Sequence, residues 1–85
     1  MKVTVEISNY PLDKEFEDKI LDFIERCRAH GLTMKVNATS THVTGDYDQV
    51  FVMLQTEIRE SFKRYGKMIF VVKILKGELD LEFTL

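Results

Sequence analysis

The chain has 85 residues, 45% of them apolar, including six phenylalanines and three tyrosines. This length predicts a single domain, residues 1–85, with enough apolar side chains for one core. The formal net charge is −2, and the basic residues do not cluster, which argues against nucleic-acid binding.

The sequence also lacks the usual signals for a membrane or secretory location. No apolar run approaches the roughly 20 residues of a membrane span, and the N-terminus lacks the apolar core of a signal peptide. Cys27 is the one cysteine and has no partner for an internal disulfide. We therefore expect no membrane partner and a reducing, cytoplasmic location.

The chain begins with a predicted half-buried strand, because apolar and polar residues alternate from Lys2 to Ser8. Tyr10-Pro11 ends this strand, since proline lacks a backbone N–H. A helix follows, with Asp13 as its candidate N-cap and Gly31 beyond its end. The apolar face of this helix comprises Phe16, Ile20, Phe23, Ile24 and Cys27.

The central part is predicted as two short strands and a second helix. Leu32–Val36 forms the second strand, Asn37–Ser40 turns, and the third strand ends at Gly45. Asp46 is the candidate N-cap of a helix from Tyr47 to about Tyr65, with Gln49 as its capping-box partner. The apolar positions at helical spacing are Val50, Phe51, Leu54, Ile58 and Phe62.

Two more strands are predicted after this helix. Lys67–Lys76 is apolar on both faces, and Leu79–Leu85 alternates strictly. The complete order predicts an α+β, ferredoxin-like βαββαβ antiparallel sheet with both helices on one face and an extra C-terminal strand. The second apolar face of Lys67–Lys76 would remain uncovered, so we expect a partner subunit to cover it.

The stretch Asn37–Val50 is the most promising site for a ligand, because its hydroxyl groups precede a helix N-terminus. This arrangement suits a small polar molecule. Taken by itself, however, the stretch favours an ordinary surface strand followed by a well-capped helix.

Two segments resemble a known family. Ile7-Ser8-Asn9-Tyr10-Pro11-Leu12 is similar to the Ser-x-Tyr-Pro-Leu segment of YkoF-like thiamine-binding proteins, and Ser40–Phe51 is similar to their Ser-Thr-x-x-x-Gly-Asp-x-x-x-Val segment. The resemblance implies a ferredoxin-like fold, a dimer or tetramer, and binding of thiamine or its hydroxymethylpyrimidine part without catalysis. The ligand-binding residues that it implies are Ser8, Tyr10, Ser40, Thr41, Thr44 and Asp46.

The sequence departs from this family at two places. Many relatives have a glutamate just before the glycine, where this chain has Thr44. Many also have an arginine after the last core strand, where this chain has only Lys73 and Lys76. These changes leave open an interaction or regulatory protein that has lost the ligand.

The sequence offers no pattern typical of catalysis or metal binding. His30 and His42 have no other ligand at metal-binding spacing, and Asp46 and Asp48 lack the longer acidic loop of a calcium site. Cys27 lies on an apolar helix face and is interpreted as a core residue. We therefore predict no catalytic residues, no metal and no cofactor, although an enzyme whose site forms between subunits stays an alternative.

Overall fold

The computed structural model describes residues 1–85. It contains six elements in the order that the sequence predicts: β1 (Lys2–Pro11), α1 (Phe16–Arg28), β2 (Thr33–Val36), β3 (Thr41–Asp46), α2 (Tyr47–Arg64) and β4 (Met68–Lys76). Neither helix is long and apolar enough to cross a membrane.

The four strands form one antiparallel sheet in the order β2-β3-β1-β4. Both helices lie on the same face of this sheet, where Phe23 of α1 and Met53 of α2 are buried with Val5 and Val43. The predicted α+β, ferredoxin-like βαββαβ architecture is confirmed. We call the other face of the sheet the open face.

The predicted helix contacts are confirmed except at the start of α1. Phe23 and Leu54 are buried, and Ile20, Phe51 and Ile58 are half-buried. Phe16 is wrongly assigned to the core, because its side chain is 46% exposed. The reason is its position: it is the first residue of α1 and lies beyond the end of the core.

The predicted extra C-terminal strand is wrong. Gly77 has a φ of +119° and turns the chain away from β4. The backbone after Gly77 makes isolated hydrogen bonds: the Leu79 N–H donates to Thr4 Oγ1 of β1, and the Phe83 N–H donates to the Asp80 carbonyl. No ladder forms, so the alternation of Leu79–Leu85 does not produce a strand.

Both helices begin near the predicted positions, but the caps differ from expectation. Asp46 is the N-cap residue of α2, yet its side chain forms no capping hydrogen bond. It lies 3.5 Å from the Lys2 ammonium group instead. The N-cap of α1 is Glu15 rather than Asp13, whose side chain accepts a hydrogen bond from the Glu15 N–H.

Candidate functional site

The end of β1 brings a polar side chain to the helix-covered face. Ile7 lies opposite Thr41 in the β1–β3 register, and both are buried. Side chains alternate along a strand, so Asn9 lies on the same face as Ile7. Polar groups of Asn9 and Thr41 therefore meet α1 at the margin of the core.

These residues line a small cavity of about 60 Å³ between the sheet, α1 and the β2–β3 turn. We call it the Asn9 cavity. A single water molecule needs a cavity of roughly 10–15 Å³. The Asn9 cavity therefore has room for a few water molecules. Its polar lining comprises Asn9, Asn37, Thr39, Ser40 and Thr41. Its apolar lining includes Ile7, Ile20, Phe23, Ile24 and Val36.

Asn9 is the most unusual group in this cavity. Its Oδ1 and Nδ2 atoms are both buried, and neither has a hydrogen-bond partner in the protein. A carboxamide offers two donors and an acceptor with two lone pairs, and leaving a buried polar group unpaired costs about 1–3 kcal/mol. A molecule held in the cavity would remove this cost.

The rim of the cavity is a turn that Asn37 organises. Its Oδ1 accepts hydrogen bonds from the backbone N–H groups of Thr39 and Ser40, at 2.9 and 3.0 Å. The backbone N–H of Asn37 also donates to the Ser40 carbonyl. This local pattern is typical of asparagine in turns, and it fixes Ser40 at the mouth of the cavity.

Comparison with known proteins identifies the chain. The model of the YKOF-related family matches residues 2–75. The chain belongs to the YKOF-related family. No curated protein matches it.

Solved structures share the fold of this chain. The chain is 20% identical to a Thermotoga maritima protein that has a suggested role in thiamine biosynthesis or salvage, with a TM-score of 0.85 and coverage of 96% of this chain and 92% of that one. A hypothetical protein from Methanocaldococcus jannascii is 24% identical, with a TM-score of 0.77 and coverage of 99% and 88%. A domain of unknown function from Bacillus cereus is 18% identical, with a TM-score of 0.78 and coverage of 96% and 85%. At these identities the likeness concerns the fold.

The structure brings together only some of the site residues that the YkoF resemblance implies. Ser40 and Thr41 lie at the Asn9 cavity. Ser8 and Tyr10 are close in sequence to Asn9 but point to the open face by strand alternation. These two side chains and the cavity are therefore on opposite sides of β1.

The other two implied residues lie farther away. Asp46 pairs with Lys2 at the opposite end of the β1–β3 ladder, about 17 Å from Thr41 at roughly 3.4 Å per residue. The hydroxyl of Thr44 is buried on the open face, 3.0 Å from the Val3 carbonyl oxygen and 3.1 Å from Thr4 Oγ1. Thr44 and Asp46 are thus engaged in contacts within the protein.

Asn9 is the residue that the sequence interpretation missed. The signal was available, because Val3, Val5 and Ile7 define an apolar face on which Asn9 is the next position. A polar residue on the apolar face of a strand is a stronger indication of a functional role than a polar residue on the polar face.

The open face holds a serine, a histidine and a glutamate in one cluster. Ser40 Oγ lies 2.8 Å from His42 Nε2, and Glu6 Oε2 lies 3.8 Å from the same nitrogen. A Ser–His–acid relay needs the acid at the other ring nitrogen, so this cluster is not such a relay. No group of three His, Cys, Asp or Glu side chains could hold a metal ion.

A second polar network connects the two helices. Arg26 Nη1 lies 2.7 Å from Glu57 Oε1, and His30 Nε2 lies 2.7 Å from Glu57 Oε2. Burial raises the pKa of Glu57, but the hydrogen bonds with His30 and Arg26 outweigh burial and hold this pKa below its usual value. Burial next to Glu57 raises the pKa of the Cys27 thiol to about 12, so Cys27 stays protonated and is a poor nucleophile.

Proposed function

We propose that this protein binds thiamine, or the hydroxymethylpyrimidine part of thiamine, in the Asn9 cavity and performs no chemistry on it. The unpaired carboxamide of Asn9 carries this proposal. An aminopyrimidine has an amino donor beside a ring-nitrogen acceptor, and a carboxamide offers the complementary acceptor and donor. Family membership and the suggested role of the Thermotoga maritima protein point in the same direction.

The surrounding residues fit a flat, polar ring. Thr41 and Phe23 lie in the lining, whereas the Ser40 hydroxyl lies 2.8 Å from His42 Nε2 on the open face. No charged residue lies in this lining, which suits recognition of a neutral pyrimidine through hydrogen bonds and ring contacts. Ser8, Tyr10, Thr44 and Asp46 stay predictions from the family resemblance.

Binding would require the cavity to open. A substituted pyrimidine needs more room than the present volume of about 60 Å³. The Asn37–Ser40 turn is the part of the wall that could move, because α1 and the strands are fixed by the core. We propose that this turn moves outward when the ligand enters.

Isothermal titration calorimetry with thiamine and with hydroxymethylpyrimidine tests this function. The wild type should bind at least one of the two, and Asn9→Leu should weaken binding at least about 10-fold, because an apolar group cannot pair with the ring edge. Thr56→Val changes an exposed hydroxyl on α2, outside the cavity lining, and should bind like the wild type. Absence of binding at millimolar ligand would refute the proposal.

We also propose that the protein is a cytoplasmic homo-oligomer, a dimer or a tetramer. Ile69, Val71 and Leu75 are apolar side chains on the open face, and each is about half exposed. Exposed apolar side chains on so small a domain favour association. Turnover assays with thiamine precursors test the absence of catalysis, and product formation above the uncatalysed rate would contradict it.

A further inference from the structure

The end of the chain crosses the open face of the sheet without joining it. We call residues 77–85 the C-terminal strap. The Gly77 N–H donates to the Lys2 carbonyl at 2.8 Å. The Thr4 hydroxyl donates to the Gly77 carbonyl at 2.8 Å, and its oxygen accepts from the Leu79 N–H at 3.1 Å. These bonds anchor the root of the strap on β1.

The tip of the strap, residues 80–85, is held less firmly. Its internal bonds are local, from the N–H groups of Glu82 and Phe83 to Asp80. The ion pair between Glu82 Oε2 and Lys35 Nζ, at 2.7 Å, is its only hydrogen bond or ion pair with the sheet. Both partners are exposed, and exposed ion pairs contribute little to stability. The tip can therefore exchange this contact easily.

A pocket of about 370 Å³ lies between the strap and the sheet. We call it the strap pocket, and its volume is in the range of small-molecule sites, about 300–1,000 Å³. The sheet supplies a polar floor of Thr4, Lys35, Asn37 and His42, and the strap supplies the wall, residues 79–84. The pocket lies on the opposite face of the sheet from the Asn9 cavity, although Asn37 borders both.

The strap pocket combines a paired cation with apolar side chains that are poorly covered. The Lys35 ammonium group already holds a carboxylate, that of Glu82. Leu79 and Phe83 line the pocket but remain 50% and 69% exposed. A molecule with a carboxylate and an apolar body would match both features, because its carboxylate would pair with the lysine and its body would cover the apolar side chains.

We infer that the strap pocket binds a small molecule that has one carboxylate and an apolar body, and that Glu82 holds the place of this carboxylate in the free protein. Glu82 is then an intramolecular competitor of the ligand. Only its side chain has to leave Lys35, because the bonds to Thr4 keep the root of the strap in position. This inference does not rest on thiamine binding in the Asn9 cavity.

The charges around the pocket favour a carboxylate over a phosphate. Lys35 is the only lysine or arginine in the lining, which also contains Asp80 and Glu82. Glu6 Oε2 lies 3.8 Å from His42 Nε2 at the floor. Exchange of one carboxylate for another leaves Lys35 with one negative partner. A phosphate monoester carries close to two negative charges at pH 7, and the second would be repelled by the neighbouring acids.

Titration of the full chain with benzoate, followed in ¹H–¹⁵N spectra at pH 7, tests the site. Benzoate is a flat apolar ring with one carboxylate. We expect the backbone signals of Lys35, Leu81 and Phe83 to shift and to saturate. Benzamide, which has the same ring without the charge, should cause no saturating shift, and phenyl phosphate should bind more weakly than benzoate.

Glu82→Gln tests the competition, with Glu78→Gln as its matched control. Removing the competing carboxylate should tighten benzoate binding about 3- to 5-fold, which is the size expected for an exposed ion pair. Glu78 is a strap residue outside the pocket lining, so its replacement should leave the affinity unchanged. Equal affinities of the wild type and Glu82→Gln would overturn the role of Glu82.

Lys35→Gln tests the anchor of the carboxylate. It should weaken benzoate binding at least about 10-fold, because a hydrogen bond to a charged group is lost. Lys73 also lies on the open face but outside the pocket lining, so Lys73→Gln should bind like the wild type. Circular dichroism would confirm that each variant is folded.

The remaining outcomes separate this site from the proposed function. Absence of saturable benzoate binding to both the wild type and Glu82→Gln would overturn the inference. Tighter binding of phenyl phosphate than of benzoate would overturn the assignment to a carboxylate. A failure of the protein to bind thiamine or hydroxymethylpyrimidine would leave the benzoate titration unchanged, so the two proposals can fail independently.

Discussion

Asn9 lies opposite Phe70 in the β1–β4 register, so an unpaired carboxamide occupies the same face of the sheet as an aromatic ring that packs against the core. The Phe70 ring is 4.9 Å from that of Phe23, which also lines the Asn9 cavity. A polar group is therefore kept at the margin of an aromatic cluster where leucine or valine would pack better. A polar residue at a position where an apolar residue would give higher stability is typical of functional positions.

Asn9→Leu should raise the stability of the ligand-free protein while it weakens binding. Removing an unpaired buried carboxamide should raise the free energy of unfolding by about 1–3 kcal/mol. Urea denaturation at pH 7 would measure the change. A loss of more than about 1 kcal/mol would show that the carboxamide has a structural partner, and Asn37→Leu, which removes the turn bonds, provides the destabilised comparison.

Phe23→Ala should destabilise the domain far more than Phe51→Ala. Phe23 is 1% exposed, and replacing a buried phenylalanine by alanine costs about 3–5 kcal/mol. Phe51 is only half-buried, in an apolar groove between α2 and β4, so its replacement should cost less. Chemical denaturation of dilute, monomeric protein would compare the two, and equal losses would contradict the described core.

The Arg26–Glu57–His30 network should make stability depend on pH. The pKa of Glu57 is lower in the folded protein than its usual 4.5, so the unfolded chain binds the proton more tightly. The stabilisation is fully present above about pH 4.5 and is lost as the pH falls through the folded pKa.

Urea denaturation between pH 7 and pH 3 would measure this dependence. The wild type should lose stability below about pH 4.5, and Glu57→Gln should show a flatter profile from a lower starting value. Glu25→Gln changes an exposed carboxylate and should follow the wild type. A Glu57→Gln profile parallel to that of the wild type would contradict the role of this network.

Removing residues 79–85 should leave the sheet intact. The segment is held by the bond between the Leu79 N–H and Thr4 and by an exposed Lys35–Glu82 pair, and exposed ion pairs contribute about 0–1 kcal/mol. Far-ultraviolet circular dichroism should keep its strand signal, with a small loss of stability. Unfolding of the shortened chain would show that this segment belongs to the core.

The sequence predicts the fold well because the periodicity of each element reports burial directly. The apolar residues alternate in β1 and recur at helical spacing in α1 and α2. Both patterns arise because these residues pack into the same core, so they predict the same fold. The prediction of a strand at Leu79–Leu85 is wrong, because alternating apolar residues only make a strand possible. A strand also needs the edge of a sheet with which to pair. Lys76-Gly77 is typical of a turn, but the local pattern does not show that this turn leads the chain away from β4.

The site is less predictable because it depends on which side of a strand each residue points to. Ser8 and Tyr10 belong to the motif that suggests the family, yet they lie on the other face from Asn9. Thr44 and Asp46 follow Thr41 closely in sequence, but the strand carries them away from the cavity. Whether the Asn9 side chain has a hydrogen-bond partner depends on how the chain packs, and the amino-acid composition does not reveal it.

The most direct test is the side-chain amide signal of Asn9 in a ¹H–¹⁵N spectrum during titration with hydroxymethylpyrimidine. The signal is the pair of resonances that is missing in Asn9→Leu. We predict that it shifts and saturates with the ligand, together with the backbone signals of Ser40 and Thr41. An Asn9 signal that stays unchanged while hydroxymethylpyrimidine binds would contradict the assignment of the site to the Asn9 cavity.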